Sequence, residues 1–246
     1  MRPTLLPILA TLIILSACTT PATGLSKSAA SAPAQIPPAV PELADVPIPE
    51  LEKLVESDNV RAEVELGYRY AMGKGVANDY GKAVPLFRTA AKHDDPQAEF
   101  FLATAYYSGY GVPKDEAAAA LWFERSAQQH YAASSYWLGY MIAFGRGGIS
   151  PTWAGAVPHL WDAATHDYSE AQFLLGYAYD KGTDIDRNPK AAAYWYRRAT
   201  SKYRNVKAEY NLSVLLNAGE VEWQPGDPEP VKKSDLDSTA PTAPQK

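Results

Sequence analysis

The sequence predicts an all-α protein, a solenoid of stacked helical hairpins. Two observations carry that expectation. A Leu-Gly-like pair recurs at Leu66-Gly67, Leu102-Ala103, Leu138-Gly139, Leu175-Gly176 and Leu212-Ser213, with the leucines 36, 36, 37 and 37 residues apart, and a fixed period of this length marks a stacked repeat. Around each leucine the same residue types return at helical spacing. Ala62, Ala98, Ser134, Ala171 and Ala208 stand four before, Tyr70, Tyr106, Ile142, Tyr179 and Leu216 four after, and Gly73, Gly109, Gly145, Gly182 and Gly219 seven after. Positions i, i+4 and i+8 form one stripe on a helix. A glycine just beyond the stripe ends the helix in the left-handed conformation.

A second helix follows in each unit. Ala83, Leu86, Ala90 and Ala91 carry it in the first, Ala119, Trp122, Ser126 and Ala127 in the second, Ala156, Leu160, Ala163 and Ala164 in the third, and Ala192, Trp195, Ala199 and Thr200 in the fourth. Small residues let helices approach closely while the large one fills the space between them. The extra residues of the longer units fall in the Gly147-Gly148 loop and in the turn near Tyr203, between helices. A solenoid needs capped ends. Residues 50–58, with Leu51, Leu54 and Val55 in register with Phe87, Ala90 and Ala91, are the expected N-terminal cap, and a lone fifth first helix, 206–218, is expected to close the other end.

The chain begins with a processing signal. Arg2 precedes an apolar run, Leu5 to Leu15, that is short for a bilayer span and suits a signal h-region. Leu15-Ser16-Ala17-Cys18 then resembles the bacterial lipobox. That resemblance implies a signal peptide over 1–17 and a diacylglycerol on Cys18, the chain's one cysteine. Thr19, where an aspartate would favour the inner membrane, implies the periplasmic face of the outer membrane. Residues 18–49 are rich in Pro, Ala and Ser, and an extended proline-rich segment at about 3.1 Å per residue makes a stalk. Residues 220–246, with five prolines and few large apolar residues after Trp223, are expected to be disordered.

Composition and motifs exclude several functions. With 46% apolar and 21% charged residues the 246-residue chain has an ordinary globular make-up. A net charge of −5 excludes a nucleic-acid partner, since binding to phosphates needs a surplus of Lys and Arg. A single cysteine excludes a disulfide framework and thiolate zinc sites. No nucleophile elbow, His-Glu-x-x-His or phosphate loop is present, so no catalytic residue and no cofactor are expected. His159, Asp162 and His166 share one helix face at i, i+3 and i+7 and form the one arrangement with metal-ligand character. The same positions in other units hold Pro85, Leu121, Thr89, Arg125, His93 and Gln129, so a solvated face is expected instead, with His93, His130 and His166 near helix C-termini where imidazolium is favourable.

The pattern Ala-x-x-x-Leu-Gly-x-x-Tyr-x-x-Gly-x-Gly-Val, followed by a Lys-Ala-x-x-Trp-x-x-x-Ala-Ala helix, resembles the Sel-one-like repeat (SLR), a relative of the tetratricopeptide repeat. The resemblance spans Arg61 to Gly219, in repeats near 61–96, 97–132, 133–169 and 170–206 and a half repeat over 207–219, with the whole solenoid at 50–219. Ile142 replaces the tyrosine in the third unit, and Asp184 replaces the second loop glycine in the fourth. The family implies a right-handed α-solenoid whose first helices line a concave face, and a non-enzymatic, monomeric protein-binding role. Cysteine-rich members described as binding or hydrolysing penicillin offer no precedent, because those cysteines are missing here.

In the register that the family implies, Phe101, Tyr107, Tyr136, Trp137, Tyr140, Phe173 and Tyr177 form an aromatic strip along the concave face. For Tyr136 and Phe173, two residues before their leucines, packing between repeats is the competing assignment. Phe101 and Trp137, just before the leucine where relatives often carry polar residues, suggest a central apolar patch. Tyr and Trp dominate binding hot spots. Two roles follow. One is a membrane-anchored periplasmic module that grips another protein, either as a scaffold in an exopolysaccharide, pilus or secretion assembly or as an immunity protein against a secreted lipase-type effector. The other is a module that binds glycan or peptidoglycan.

Overall fold

The structure is a computed structural model that describes residues 40–202 and 204–227. The signal peptide over 1–17, Cys18, most of the proline-rich stretch and the tail from 228 lie outside the described residues. Ten α-helices and no strands occur among those described. They are α1 (Ile48–Glu56), α2 (Val60–Met72), α3 (Tyr80–Ala91), α4 (Pro96–Ser108), α5 (Glu116–Gln128), α6 (Ala132–Phe144), α7 (Trp153–Thr165), α8 (Ser169–Lys181), α9 (Pro189–Ser201) and α10 (Val206–Asn217). Helices α2/α3, α4/α5, α6/α7 and α8/α9 form four antiparallel hairpins of a right-handed solenoid. No described helix is long and apolar enough to cross a membrane.

Local chemistry places the helix ends. Asn59, Asp95 and Asn205 cap the first helices α2, α4 and α10 by accepting the amides of Ala62, Ala98 and Ala208. At the same point in α6 and α8 stand Tyr131 and Tyr168, which make no cap but lay their rings on Phe100 (5.5 Å) and Tyr136 (4.9 Å) of the preceding unit. Capping is exchanged there for contact between repeats. Gly73, Gly109, Gly145 and Gly182 end the four complete first helices with positive φ.

The Leu-Gly pair is explained by the hairpin contact. A Cβ at Gly67, Gly139 or Gly176 would lie 2.7, 2.8 or 2.7 Å from the side chains of Phe87, Leu160 and Tyr196 on the following helix. The large residue between the helices is therefore Phe87, Phe123, Leu160 or Tyr196, all buried. In three units this is one position beyond the expected Leu86, Trp122 and Trp195, because the side chain nearest the glycine is the one that points between both neighbouring first helices. The substituted loop glycine also finds its reason. At Gly111 and Gly147 a Cβ would lie 2.6 Å from the carbonyl oxygens of Tyr80 and Glu116. Asp184 instead accepts hydrogen bonds from Thr152 Oγ1 (2.5 Å) and the amides of Trp153 (3.0 Å) and Ala154 (3.3 Å), neutralising the N-terminus of α7.

Second helices are tied by a charged ladder. Helices α3, α5 and α7 are each followed by a residue with positive φ, Asp94, His130 and Asp167, that reaches the next second helix: Asp94 to Arg125 (2.7 Å), His130 to Asp162 (3.3 Å) and Asp167 to Arg198 (3.1 Å).

Both ends depart from the sequence expectation. At the N-terminus the fold begins before residue 50. Val40 is buried, a single 3-10 turn covers Pro41–Leu43, and Leu43 and Val46 pack over Leu51 of α1. Arg69 holds this segment by donating to the carbonyls of Leu43 (2.7 Å), Ala44 (2.9 Å) and Val46 (2.6 Å) while pairing with buried Glu65 (2.6 Å). At the C-terminus residues 220–227 are ordered against the stack. The amide of Glu220 donates to Leu215 O, and Asp227 receives Arg197 through two bonds of 2.7 Å. Helix α10 is the last described helix, and on it Val206, Tyr210 and Val214 are 63, 47 and 39% exposed.

Two substitutions test this account. Arg69→Ala strands Glu65 as a buried, uncompensated charge and should cost about 3–5 kcal/mol in chemical denaturation, with amide exchange rising first over residues 40–47. Glu63 is buried, its Oε2 has no hydrogen-bond partner, and burial raises its carboxyl above the ordinary range, with Asp58 adding to the shift and His93 opposing it. A raised folded-state pKa contributes stability at pH values below the unfolded pKa and loses it as pH rises through the folded value. Glu63→Gln should therefore raise Tm at pH 7, on the scale of about 2–4 °C per kcal/mol, with the advantage vanishing as the pH falls towards 4.

Candidate binding face

First helices pack against one another at the two ends of the stack, α2 with α4 and α8 with α10, and no pair of second helices does so to that extent. The first helices thus line the inner curvature. Phe101, Tyr107, Tyr136, Trp137 and Phe173, five of the seven residues assigned to a free aromatic strip, are buried. A large ring pointing inward is covered by rings of its own second helix or of an adjacent unit. Phe101 stacks on Phe87 at 4.9 Å, and Trp137 lies parallel to Phe123 at 5.7 Å with Tyr107 at 4.9 Å. Phe173 packs on Tyr196, and Tyr136 under Tyr168. These rings form a spine through the stack. Trp137 cannot act as an exposed hot spot, and its Nε1 has no hydrogen-bond partner.

What reaches solvent is the row two residues after each leucine. Tyr68, Thr104, Tyr140 and Tyr177 are all half-buried, so only Tyr140 and Tyr177 of the expected strip remain available. Tyr140 rests on Trp137 (5.7 Å) and Phe144 (4.8 Å), and the contacts run on through Trp153 to Tyr177 (5.5 Å each). Rigid packing beneath and a phenolic hydroxyl above make each tyrosine a ready contact. Burial raises the Tyr140 and Tyr107 hydroxyls above the usual phenol range, so both stay neutral donors at physiological pH.

One edge of the row is charged. Arg146, just past α6, pairs with Glu116 at the start of α5 (2.6 Å), and Lys114 reaches the same carboxylate (2.9 Å). Arg146 and Lys114 lie over the Tyr107 ring at 5.9 and 5.8 Å, and Lys181 over Tyr177 at 5.5 Å. Burial works against it, yet hydrogen bonding from Lys114 and the charge of Arg146 hold the Glu116 carboxyl below the ordinary range. Sequence reading missed this cluster because Glu116 and Arg146 stand in different units and no local pattern links them.

The histidine arrangement resolves differently from its sequence reading. Asp162 accepts from the Ser135 hydroxyl (2.5 Å) and faces His130 from the preceding unit, while His166 Nδ1 contacts the Asp162 carbonyl (2.7 Å). His159 stands apart, its pKa lowered by burial. Among the described residues no group of three or more His, Cys, Asp or Glu side chains is arranged to hold a metal.

The Sel1 repeat profile matches residues 60–95, 96–131, 132–151 and 169–202. The chain belongs to the Sel1 repeat family. The stretch that the third Sel1 match leaves out contains α7, whose helix carries Pro158 and follows the lengthened Gly147-Gly148 loop. The geometry of a Sel1 second helix persists there without its sequence. A protective antigen present in uropathogenic Escherichia coli strains, with an SLR fold, is 31% identical, over 71% of this chain and 37% of its own, at a TM-score of 0.68. This chain therefore spans little more than a third of that antigen. A Sel1 repeat protein from Oxalobacter formigenes is 25% identical over 71% of this chain and 72% of its own, at a TM-score of 0.64. An immunity protein from Pseudomonas aeruginosa is 19% identical at a TM-score of 0.46, too distant a likeness to bring a role with it. No curated protein matches the chain at a significant level. Sel1 repeats are in general protein-interaction scaffolds rather than enzymes.

Trp137→Ala should behave as a core truncation, costing about 3–5 kcal/mol in denaturant titrations. Tyr140→Ala, at the half-buried row, should cost clearly less, and equal losses would contradict the division between spine and surface.

Proposed function

We propose that this Sel1 repeat protein grips a partner protein along the inner face of its solenoid while a lipid on Cys18 holds it at the periplasmic face of the outer membrane. The half-buried tyrosine row, supported by a rigid aromatic spine and edged by Lys114, Arg146 and Lys181, carries the reading. It offers low-entropy aromatic contacts beside cations that orient acidic or carbonyl-rich segments of a bound chain. The anchor rests on the lipobox-like sequence alone. A tethered repeat that binds proteins suits a scaffold within an envelope assembly, and interception of an incoming effector by an immunity protein uses the same surface.

A photoreactive phenylalanine analogue placed at Tyr140 or Tyr177 in cells should crosslink to a protein in the membrane fraction, whereas the same analogue at Arg88 on the outer surface should not. Cys18→Ser should abolish palmitate labelling and release the protein from membranes. Absence of any protein crosslink, combined with loss of polysaccharide retention on Tyr140→Ala, would favour a glycan ligand and defeat the reading.

A further inference from the structure

Each junction of the charged ladder joins the residues eight and three before a repeat leucine to one residue of the second helix that follows. At the second junction these are Asp94 and Glu99, and Arg125 serves both. Its guanidinium donates to Asp94 (2.7 Å) and lies 3.0 Å from buried Glu99, whose other oxygen accepts from Gln129 (2.9 Å). The third junction reverses the polarity: Asp162 stands in the place of the arginine, accepts from Ser135 (2.5 Å) and faces His130 (3.3 Å). At the fourth, Arg198 meets Asp167 (3.1 Å), and Gln172 takes the glutamate's place and donates to Ala164 O (3.0 Å). All three junctions are complete.

The first junction keeps the acids and lacks the base. Asp58 and Glu63 stand 36 residues before Asp94 and Glu99, and the residue 36 before Arg125 is Thr89. Asp58 has the φ of Asp94, 58° against 55°, so the turn is held in the same shape. Glu63 is 4% exposed, and its Oε2 has no hydrogen-bond partner. The Thr89 hydroxyl donates to its own helix at Pro85 O (3.1 Å). The arginines of α2 and α3 are engaged elsewhere, Arg61 with Glu42 (2.7 Å), Arg69 with Glu65 (2.6 Å) and Arg88 with Tyr106 (3.5 Å). Among the described residues neither Asp58 nor Glu63 makes an ion pair, and His93, in the register of Gln129, acts on Glu63 through its charge alone.

We propose that this first junction receives an arginine side chain of a partner protein, seated between Asp58 and Glu63 as Arg125 is seated between Asp94 and Glu99. The planar guanidinium fork serves two carboxylates that approach from different directions, which an ammonium point charge does not. A buried carboxylate without a partner is costly, so an incoming guanidinium relieves a defect of the free protein. A metal ion does not fit, because among the described residues no group of three or more His, Cys, Asp or Glu side chains is arranged to hold one. Between Cys18 and Val40 the chain itself offers one base, Lys27, which lacks the fork. The site lies at the turn edge of the stack and stands or falls independently of the inner tyrosine row.

The test is amide NMR of the purified protein titrated with N-acetyl-arginine amide. The probe should shift the amides of residues 58–63 and 89–93 saturably, with a Kd of about 1 mM, the lysine analogue should bind about tenfold more weakly, and the neutral citrulline analogue should not bind. Thr89→Arg should supply the guanidinium from within the chain, abolish the shifts and raise Tm by about 3 °C. Glu63→Gln should keep the fold and weaken binding about tenfold. Shifts scattered over other acidic surfaces, an equal response to citrulline, or a Thr89→Arg protein that still binds the probe and is no more stable would overturn the proposal. Tighter binding of free arginine than of the capped amide would assign the junction to a small molecule, and binding that appears only on Lys27→Ala would assign it to the chain's own N-terminal stretch. Either result overturns it as well.

Discussion

The closeness of the two helices in each hairpin is the constraint on which the rest of the structure depends. A glycine or alanine follows the repeat leucine in the four complete units, and the ring or branched chain of Phe87, Phe123, Leu160 or Tyr196 fills the space this leaves. A methyl group added at Gly176 would meet both Tyr196 and the Ala192 carbonyl, so the hairpin would have to open. Because the large residue also reaches the next first helix, as Phe87 does to Phe101, spacing within one repeat sets spacing between repeats. Stability then accumulates from neighbour to neighbour.

That closeness shapes the inner face. First helices approach so tightly that inward rings are absorbed into a continuous aromatic spine, and only the next row, Tyr68, Tyr140 and Tyr177, meets solvent along its edges. The spine gives these tyrosines little freedom to lose on binding. The Lys114, Glu116 and Arg146 cluster adds a charged border that comes from two different repeats. A binding surface of this kind exists because the stack exists. No single hairpin carries it.

The ends show how differently one array can be terminated. Arg69 draws the entering chain over α1 by satisfying three backbone carbonyls, which buries Val40 and covers Leu51. At the other end two ion pairs, Arg197 with Asp227 and Arg187 with Glu220, tie residues 220–227 to α9 and the loop before it, while Val206, Tyr210 and Val214 of α10 stay exposed.

Much of the fold was legible in the sequence. The leucine period, the stripe at i, i+4 and i+8, and the glycines that stop each first helix are signals contained within a few turns, and they specify helices, hairpins and their order. The same signals set α10 among the first helices and α1 among the second. Which aromatic residues are free, where the fold begins and ends, and what replaces a missing loop glycine were decided by the tertiary structure. Trp137 looked available because its own helix says nothing of Phe123 and Tyr107 above it, and Asp184 read only as a replaced loop glycine because the α7 N-terminus it caps lies about thirty residues away. Helix formation is governed by neighbours along the chain. Burial and charge pairing are governed by the adjacent repeat.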